Sequence, residues 1–215
     1  MHLYKDRAFM LSVGIGLLML AASLGAFFYS ANYANVSASN SVTDIVLSNT
    51  RVYDVGDVFV YGVLLMMACI TLFVVVRPRY MPFTLKSISF LYFVRSIAVS
   101  LTHISAYPYR ASLDASSYFV TSHFFRAFFT GDDLFFSGHV ALPFLMALIF
   151  WDNVVLRIVF LIASVIFAVV VLLGHFHYSI DVFSAYFITY SLYVIARRVF
   201  RKDFARIATH AAPVV

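Results

Sequence analysis

Two imidazoles and one carboxylate are spaced for chemistry. His139 closes the string Phe136-Ser137-Gly138-His139, and His177 is followed four positions later by Asp181. At helical spacing, i and i+4 share a face, so Asp181 can accept a hydrogen bond from one nitrogen of the His177 ring. That bond fixes the tautomer and leaves the other nitrogen as nucleophile or base. A second histidine, His139, can then protonate a leaving oxygen. Ser137 and Gly138 stand where the N–H groups of a helix start are free, and glycine permits close approach. Two helix N-termini add positive dipole ends, so the site reads as phosphate-binding. For His103, His123 and His175 the simpler reading is a bond to a neighbouring carbonyl. No metal is expected, because neither Cys nor Glu joins the histidines and an HxH pair at a helix start does not face one way. No cofactor is implied.

The elements that position these residues are membrane helices. Hydrophobic residues make up 63% of the 215, charged residues 12%, and the mean hydropathy is +0.92. This composition excludes a soluble globular protein, a disordered chain and a nucleic-acid-binding domain. Six stretches approach the roughly 20 apolar residues that cross a bilayer. They run from about Ala8 to Tyr29, Val58 to Val76, Leu85 to Ile104, Leu134 to Trp151, Val154 to Leu173 and His177 to Ile195. The reading is an all-α, six-span bundle forming a single domain over residues 1–215, with both termini on one side. Placing the termini in the cytoplasm puts 11 of the 15 Lys and Arg residues there, among them Lys5, Arg7, Arg77, Arg79 and Arg197. Arg51, Arg110 and Arg126 fall outside, and that asymmetry sets the orientation. His139, His177 and Asp181 then share the outer face.

Both long loops, about residues 30–57 and 105–133, are also on the outer side. The second carries Tyr118, Phe119, Phe124, Phe125, Phe128 and Phe129 around Arg126. This pattern suits a short interfacial helix, either packed on the bundle or acting as a lid over a lipid-accessible site. Cys69 lies in an apolar run and reads as a small buried hydrophobe. Arg95, within the third stretch, is the one basic residue deep in a span. An intramembrane arginine needs a partner, which here is an acidic side chain, the substrate phosphate or backbone carbonyls.

These residues resemble the signature of the type-2 phosphatidic acid phosphatase superfamily, Ser137-Gly138-His139 followed by His177-Tyr178-Ser179-Ile180-Asp181. The longer strings, Gly131 to His139 and His177 to Val182 with Ala185-Tyr186 and Ile188-Thr189, resemble its sphingomyelin synthase-like branch. Arg95-Ser96-Ile97, Thr102 and Pro108 resemble the arginine-containing third-helix motif of that branch, and the likeness covers about Leu85 to Arg198. The resemblance implies metal-independent phosphoryl transfer: His177 as nucleophile, Asp181 orienting it, and His139 as general acid and base. It implies transfer of a headgroup phosphate from a membrane phospholipid to a lipid alcohol such as ceramide or diacylglycerol. With water as acceptor, the same trio would be a lipid phosphatase or phospholipase C acting on phosphatidate, polyprenyl diphosphate or phospholipid. The wider superfamily's KxxxxxxRP motif is missing, with Ile70 seven positions before Arg77-Pro78, and Val171 stands where an Arg precedes the nucleophile. Charge neutralisation then falls to Arg95, Arg110 or Arg126, and Arg95, Ser137, Gly138 and Arg126 are the expected substrate-binding residues. A non-catalytic lipid transporter is the reading from another class. It calls for broken helices, and only Pro143 suits one. The expected location is an integral membrane protein with its site on the periplasmic or luminal face, in a bacterial inner membrane.

Overall fold

The computed structural model describes residues 3–113 and 134–208. Among them are helices α1 (Arg7–Ser37), α2 (Ile45–Ser48), α3 (Gly56–Val76), α4 (Met81–Leu101), α5 (Gly138–Ile149), α6 (Val154–Leu173), α7 (Ser179–Val199) and α8 (Arg201–Ala208). The described residues include no strand. Side-chain caps start several of these helices: Asp6 accepts from Ala8 N at 2.9 Å, and Asn153 from Leu156 N at 3.1 Å. The interfacial aromatic segment, His123 and Arg126 lie outside the described residues.

Five helices, α1, α3, α4, α6 and α7, are long and apolar enough to cross a membrane. Their outward faces are apolar. On α6, Val155, Ile158, Ile162, Val165, Ile166 and Val169 are exposed, while Ser164 is fully buried. Polar groups point inward because a bilayer offers them no partners. Ser164 Oγ accordingly donates to Val140 O at 3.0 Å. Cys69 is exposed on α3, contrary to the expectation of burial, because that face meets lipid rather than the bundle.

Two elements depart from the sequence reading. Helix α1 continues to Ser37, well past Tyr29, taking in residues assigned to the first outer loop. The fourth stretch, Leu134 to Trp151, contains a helix of only 12 residues, Gly138–Ile149. At 1.5 Å per residue it is about 18 Å long, against a hydrocarbon core of about 30 Å. Nearly every residue of α5 is buried, and it packs on α6, α7 and α4. Enclosed by protein, its ends can be irregular without exposing backbone to lipid. Pro143 lies inside α5. Lacking an N–H, it leaves the carbonyl of His139, one turn earlier, without its helical donor.

Helices α1 and α4 form the most extensive pair. Gly16 lets them approach, since a Cβ there would sit 3.0 Å from Leu85 Cβ. At the end where α4 begins, Lys86 Nζ meets Asp203 Oδ2 of α8 at 2.6 Å and Ser12 Oγ of α1 at 2.7 Å. Ser12 Oγ donates to the other Asp203 oxygen at 2.7 Å. Both ions are buried, so each needs the other. Lys86→Met should therefore destabilise the protein by about 3–5 kcal/mol, while Lys86→Met combined with Asp203→Leu should recover most of that loss. Denaturant unfolding in detergent micelles measures both; a double variant no more stable than the single one would show that the pair is not what matters.

Candidate active site

The His177 segment is shaped by the end of α6. Phe176 N donates to Val171 O at 2.9 Å and His175 N to Leu172 O at 3.1 Å. This is the bond pattern of a Schellman cap, in which the residue after the C-cap is left-handed. That residue is usually glycine; here it is His175, at φ 55°. Its ring Nδ1 lies 2.7 Å from Tyr109 O and Ala111 N donates to Gly174 O at 3.0 Å, so the preceding loop holds the strained turn. Gly174 is required by crowding, since a Cβ there would collide with the Phe176 ring. Val171, where the wider signature has an arginine, supplies a cap acceptor and is fully buried.

His177 does not open α7, as the sequence reading had it. The helix starts at Ser179 with Tyr178 as N-cap, and Asp181 is its third residue. Asp181 Oδ2 lies 3.2 Å from His177 Nδ1 and accepts from Tyr178 N at 3.1 Å. The i, i+4 contact thus runs across the cap rather than along a helix face. A carboxylate only accepts, so Nδ1 carries the proton and Nε2 is left with the lone pair. His177 and Asp181 are both buried.

The other half of the site is the turn into α5. Phe135 has φ 140°, in a bend just before Ser137-Gly138-His139. Ser137 N donates to the carbonyl of Asp181 at 3.1 Å, joining the two motif segments through the backbone. Its N–H is therefore not available to a ligand, contrary to expectation. Its hydroxyl does not cap α5, and Ser137 Oγ is buried without a partner among the described residues. The His139 ring stacks on Phe59 of α3 at 4.0 Å and 21°, with Phe167 5.9 Å away. Phe59 also meets Phe176 at 4.4 Å. His139 Nε2 is buried and lacks a partner among the described residues. The ring lies within electrostatic reach of His177 and Arg95.

Arg95 reaches this turn from α4. Its Nε donates to Phe136 O at 3.1 Å, and its guanidinium carbon lies 4.7 Å from the Phe27 ring centroid. A Cβ on Gly138 would come within 3.3 Å of that carbon. The close approach expected of Gly138 is therefore to Arg95. His175 bonds a carbonyl, as read from sequence, whereas Arg110 is exposed. Among the described residues no three His, Cys, Asp or Glu side chains cluster as a metal site.

Sequence reasoning missed two supports. Phe59 orients His139, and nothing local in α3 marks it out from its apolar neighbours. Asp44, in the segment between α1 and α3, accepts from Val46 N at 2.8 Å and Leu47 N at 3.1 Å with one oxygen. Its other oxygen accepts from Ser179 N at 2.7 Å, tying that segment to the start of α7. An Asp directly before a short apolar run is an N-cap signal that could have exposed its local half. Tyr178 adds a second tie, donating to Ser105 O at 2.9 Å and accepting from Val42 N at 3.3 Å.

Residues 131–198 match the family model described as PAP2 superfamily C-terminal. The matched span contains the α5 turn and the His177–Asp181 pair, and it supports the type-2 phosphatidic acid phosphatase superfamily. No curated protein and no solved structure matches the chain.

Two expected outcomes follow from this geometry. Burial alone would raise the Asp44 carboxyl, but the bonds from Ser179, Leu47 and Val46 outweigh it and hold it below the ordinary 3.8. A carboxyl lowered by folding contributes stability above its unfolded value and loses it as pH falls through the folded value. Asp44→Ala should cost about 0.5–2 kcal/mol at neutral pH. The difference from wild type should shrink once pH drops below 3.8, as unfolding curves at several pH values would show. Gly138→Ala should displace the Arg95 guanidinium and lower turnover while the protein still folds. Arg95→Lys, which loses the planar fork, should do the same; wild-type turnover in both variants would exclude Arg95 from the site.

Proposed function

We propose that the protein is a membrane lipid phosphotransferase of the sphingomyelin synthase-like kind. It would move a phospholipid headgroup phosphate through a phospho-histidine on His177 to a lipid alcohol. One observation carries this reading: Asp181 holds His177 Nδ1, leaving Nε2 to attack, in a buried site that also encloses an unpartnered His139 Nε2. The similarity of residues 131–198 to the PAP2 superfamily supports lipid phosphatase or phosphotransferase chemistry.

In the first half-reaction His177 Nε2 attacks phosphorus and the P–N bond forms. The P–O bond to the glyceride oxygen breaks, and the His139 imidazolium gives its proton to that oxygen. In the second, His139 takes the proton of the acceptor hydroxyl as its oxygen attacks phosphorus, and the P–N bond breaks. Asp181 steadies the positive charge on the His177 ring. Arg95 and the first N–H groups of α5 oppose the phosphate charge. Arg126 is a second cation for that role, on sequence grounds alone. No step calls for a metal.

The same reading has six crossings, both termini cytoplasmic and the site on the outer face of a bacterial inner membrane. Helix α5 supports the fourth crossing despite its length. Ser137 at one end meets the start of α7, and Ile149 at the other lines a cavity with Arg197 near the end of α7.

Incubating the purified protein with labelled phospholipids, with and without a lipid alcohol, tests the function. A new lipid phosphoester is expected with the alcohol present; release of headgroup phosphate to water alone would instead make it a hydrolase. His177→Ala should abolish turnover and any trapped phospho-enzyme. His139→Ala and Asp181→Asn should each lower turnover by about 10²–10⁴-fold. Chelators should leave activity unchanged; loss on chelation, restored by zinc, would reject this mechanism.

A further inference from the structure

A second cavity, of about 260 Å³, lies between α1, α3, α4 and Leu142 of α5, open along one side to the lipid-facing surface. It is elongated. Each wall is one face of a helix at i, i+3, i+4 spacing, and on α4 that face runs from Met81 to Tyr92. Eleven steps of helix make it about 16 Å long. A groove of that length can receive an extended alkyl chain. None of its described lining residues is charged, and Thr71 turns its hydroxyl back to Met67 O at 2.8 Å.

The upper end of this cavity adjoins the candidate site. Leu142 is one helical turn from His139 on α5, and Tyr92 is one turn from Arg95 on α4. The Tyr92 ring meets Phe27 edge-on at 5.5 Å, and Phe27 lies beneath the Arg95 guanidinium. Charged groups that suit a phosphate thus sit directly above a slot that suits a hydrocarbon tail.

We propose that this cavity holds one acyl chain of the lipid whose phosphate is processed at His177, and so measures chain length. The inference rests on the function proposed above for its substrate. A chain hanging from a phosphoester near Arg95 enters past Tyr92 and Leu142 and runs toward Met81. A long chain fills the slot; a short one ends before its lower half. The tail comes from lipid rather than water, so each further methylene favours the longer substrate only through the contacts it makes with the groove walls.

Filling the slot tests this. Ile88 of α4 and Leu20 of α1 both line it, and neither belongs to the candidate site. Ile88→Trp should lower turnover of dipalmitoyl phosphatidylcholine, phosphatidylethanolamine or phosphatidate by about tenfold, leaving the dihexanoyl forms near wild type. Leu20→Phe provides the same test from α1 should the tryptophan prevent folding. An unchanged ratio of long-chain to short-chain turnover in the folded variants would overturn the proposal. A second readout does not need turnover. Phosphatidylcholine carrying a mid-chain diazirine should label peptides containing Ile88 or Ile70, and Ile88→Trp should abolish the label on Ile70. Labelling spread equally over the outward faces of α3 and α6, unaltered by the plug, would mean ordinary surrounding lipid and would also overturn it. If the wild type turns over none of these lipids, the proposed function fails, and the labelling alone decides the slot.

Discussion

Asp181 is the residue through which the candidate site is assembled. Its carboxylate accepts from His177 Nδ1 and from Tyr178 N, and its carbonyl accepts from Ser137 N. One residue in the first turn of α7 therefore fixes a ring, a helix cap and the turn into α5. A buried carboxylate in a membrane protein survives only if its oxygens are satisfied. The bonds that satisfy it hold the His177 ring and the α7 cap, and its backbone carbonyl ties them to the turn into α5. Removing the carboxylate loosens the cap and the imidazole at once, so structural and chemical roles are not separable at this position.

Around that centre, the bilayer decides what the rest of the chain must do. Apolar residues cover the outer faces of α1, α3, α6 and α7 at no cost in lipid, which leaves polar groups to be matched inside. The match is made at two levels. At one end of the bundle Lys86, Asp203 and Ser12 close on each other and bind α1, α4 and α8 into a unit. Nearer the other end, Arg95, Ser137, His139, His177 and Asp181 are gathered with some polar atoms left unpaired: Ser137 Oγ and His139 Nε2 are buried without partners among the described residues. The first network is closed and structural. The second has spare hydrogen-bonding capacity, which is what a site for a polar ligand requires.

Much of this was legible in the sequence, and what was not has identifiable causes. Hydropathy marks a span through its lipid-facing residues, so Val154 to Leu173 was placed at both ends. It overstated α5, because a helix enclosed by protein is as apolar as one enclosed by lipid, and length alone separates them. It understated α1, whose last turns carry Asn32, Asn35 and Ser37 beyond the apolar window. The histidines and Asp181 were visible because ionisable groups are rare in such a chain. Their supports were not. Phe59 is one phenylalanine among 24, and its stacking on His139 depends on how α3 packs against α5. Asp44 looked like a loop aspartate, since its partner Ser179 is 135 positions away.

The turn at His177 shows why local spacing can be right about a contact and wrong about its structure. The four-residue interval suggested a single helical face, yet the chain is non-helical at His177 and enters α7 only at Ser179. The contact survives because a carboxylate in the third position of a helix reaches back to the cap, and the residue just before the cap lies within the same reach. This geometry has a consequence that a helical histidine would not have. The His177 backbone directly follows the cap of α6, with His175 left-handed two positions earlier, and its ring is oriented from α7. Two helices thus set one imidazole from opposite sides, and a shift of either against the other would move Nε2 away from the α5 turn. The Ser137 to Asp181 bond and the Asp44 to Ser179 bond restrain that shift, so the loop carrying Asp44 acts on the candidate site through the positions of helix ends.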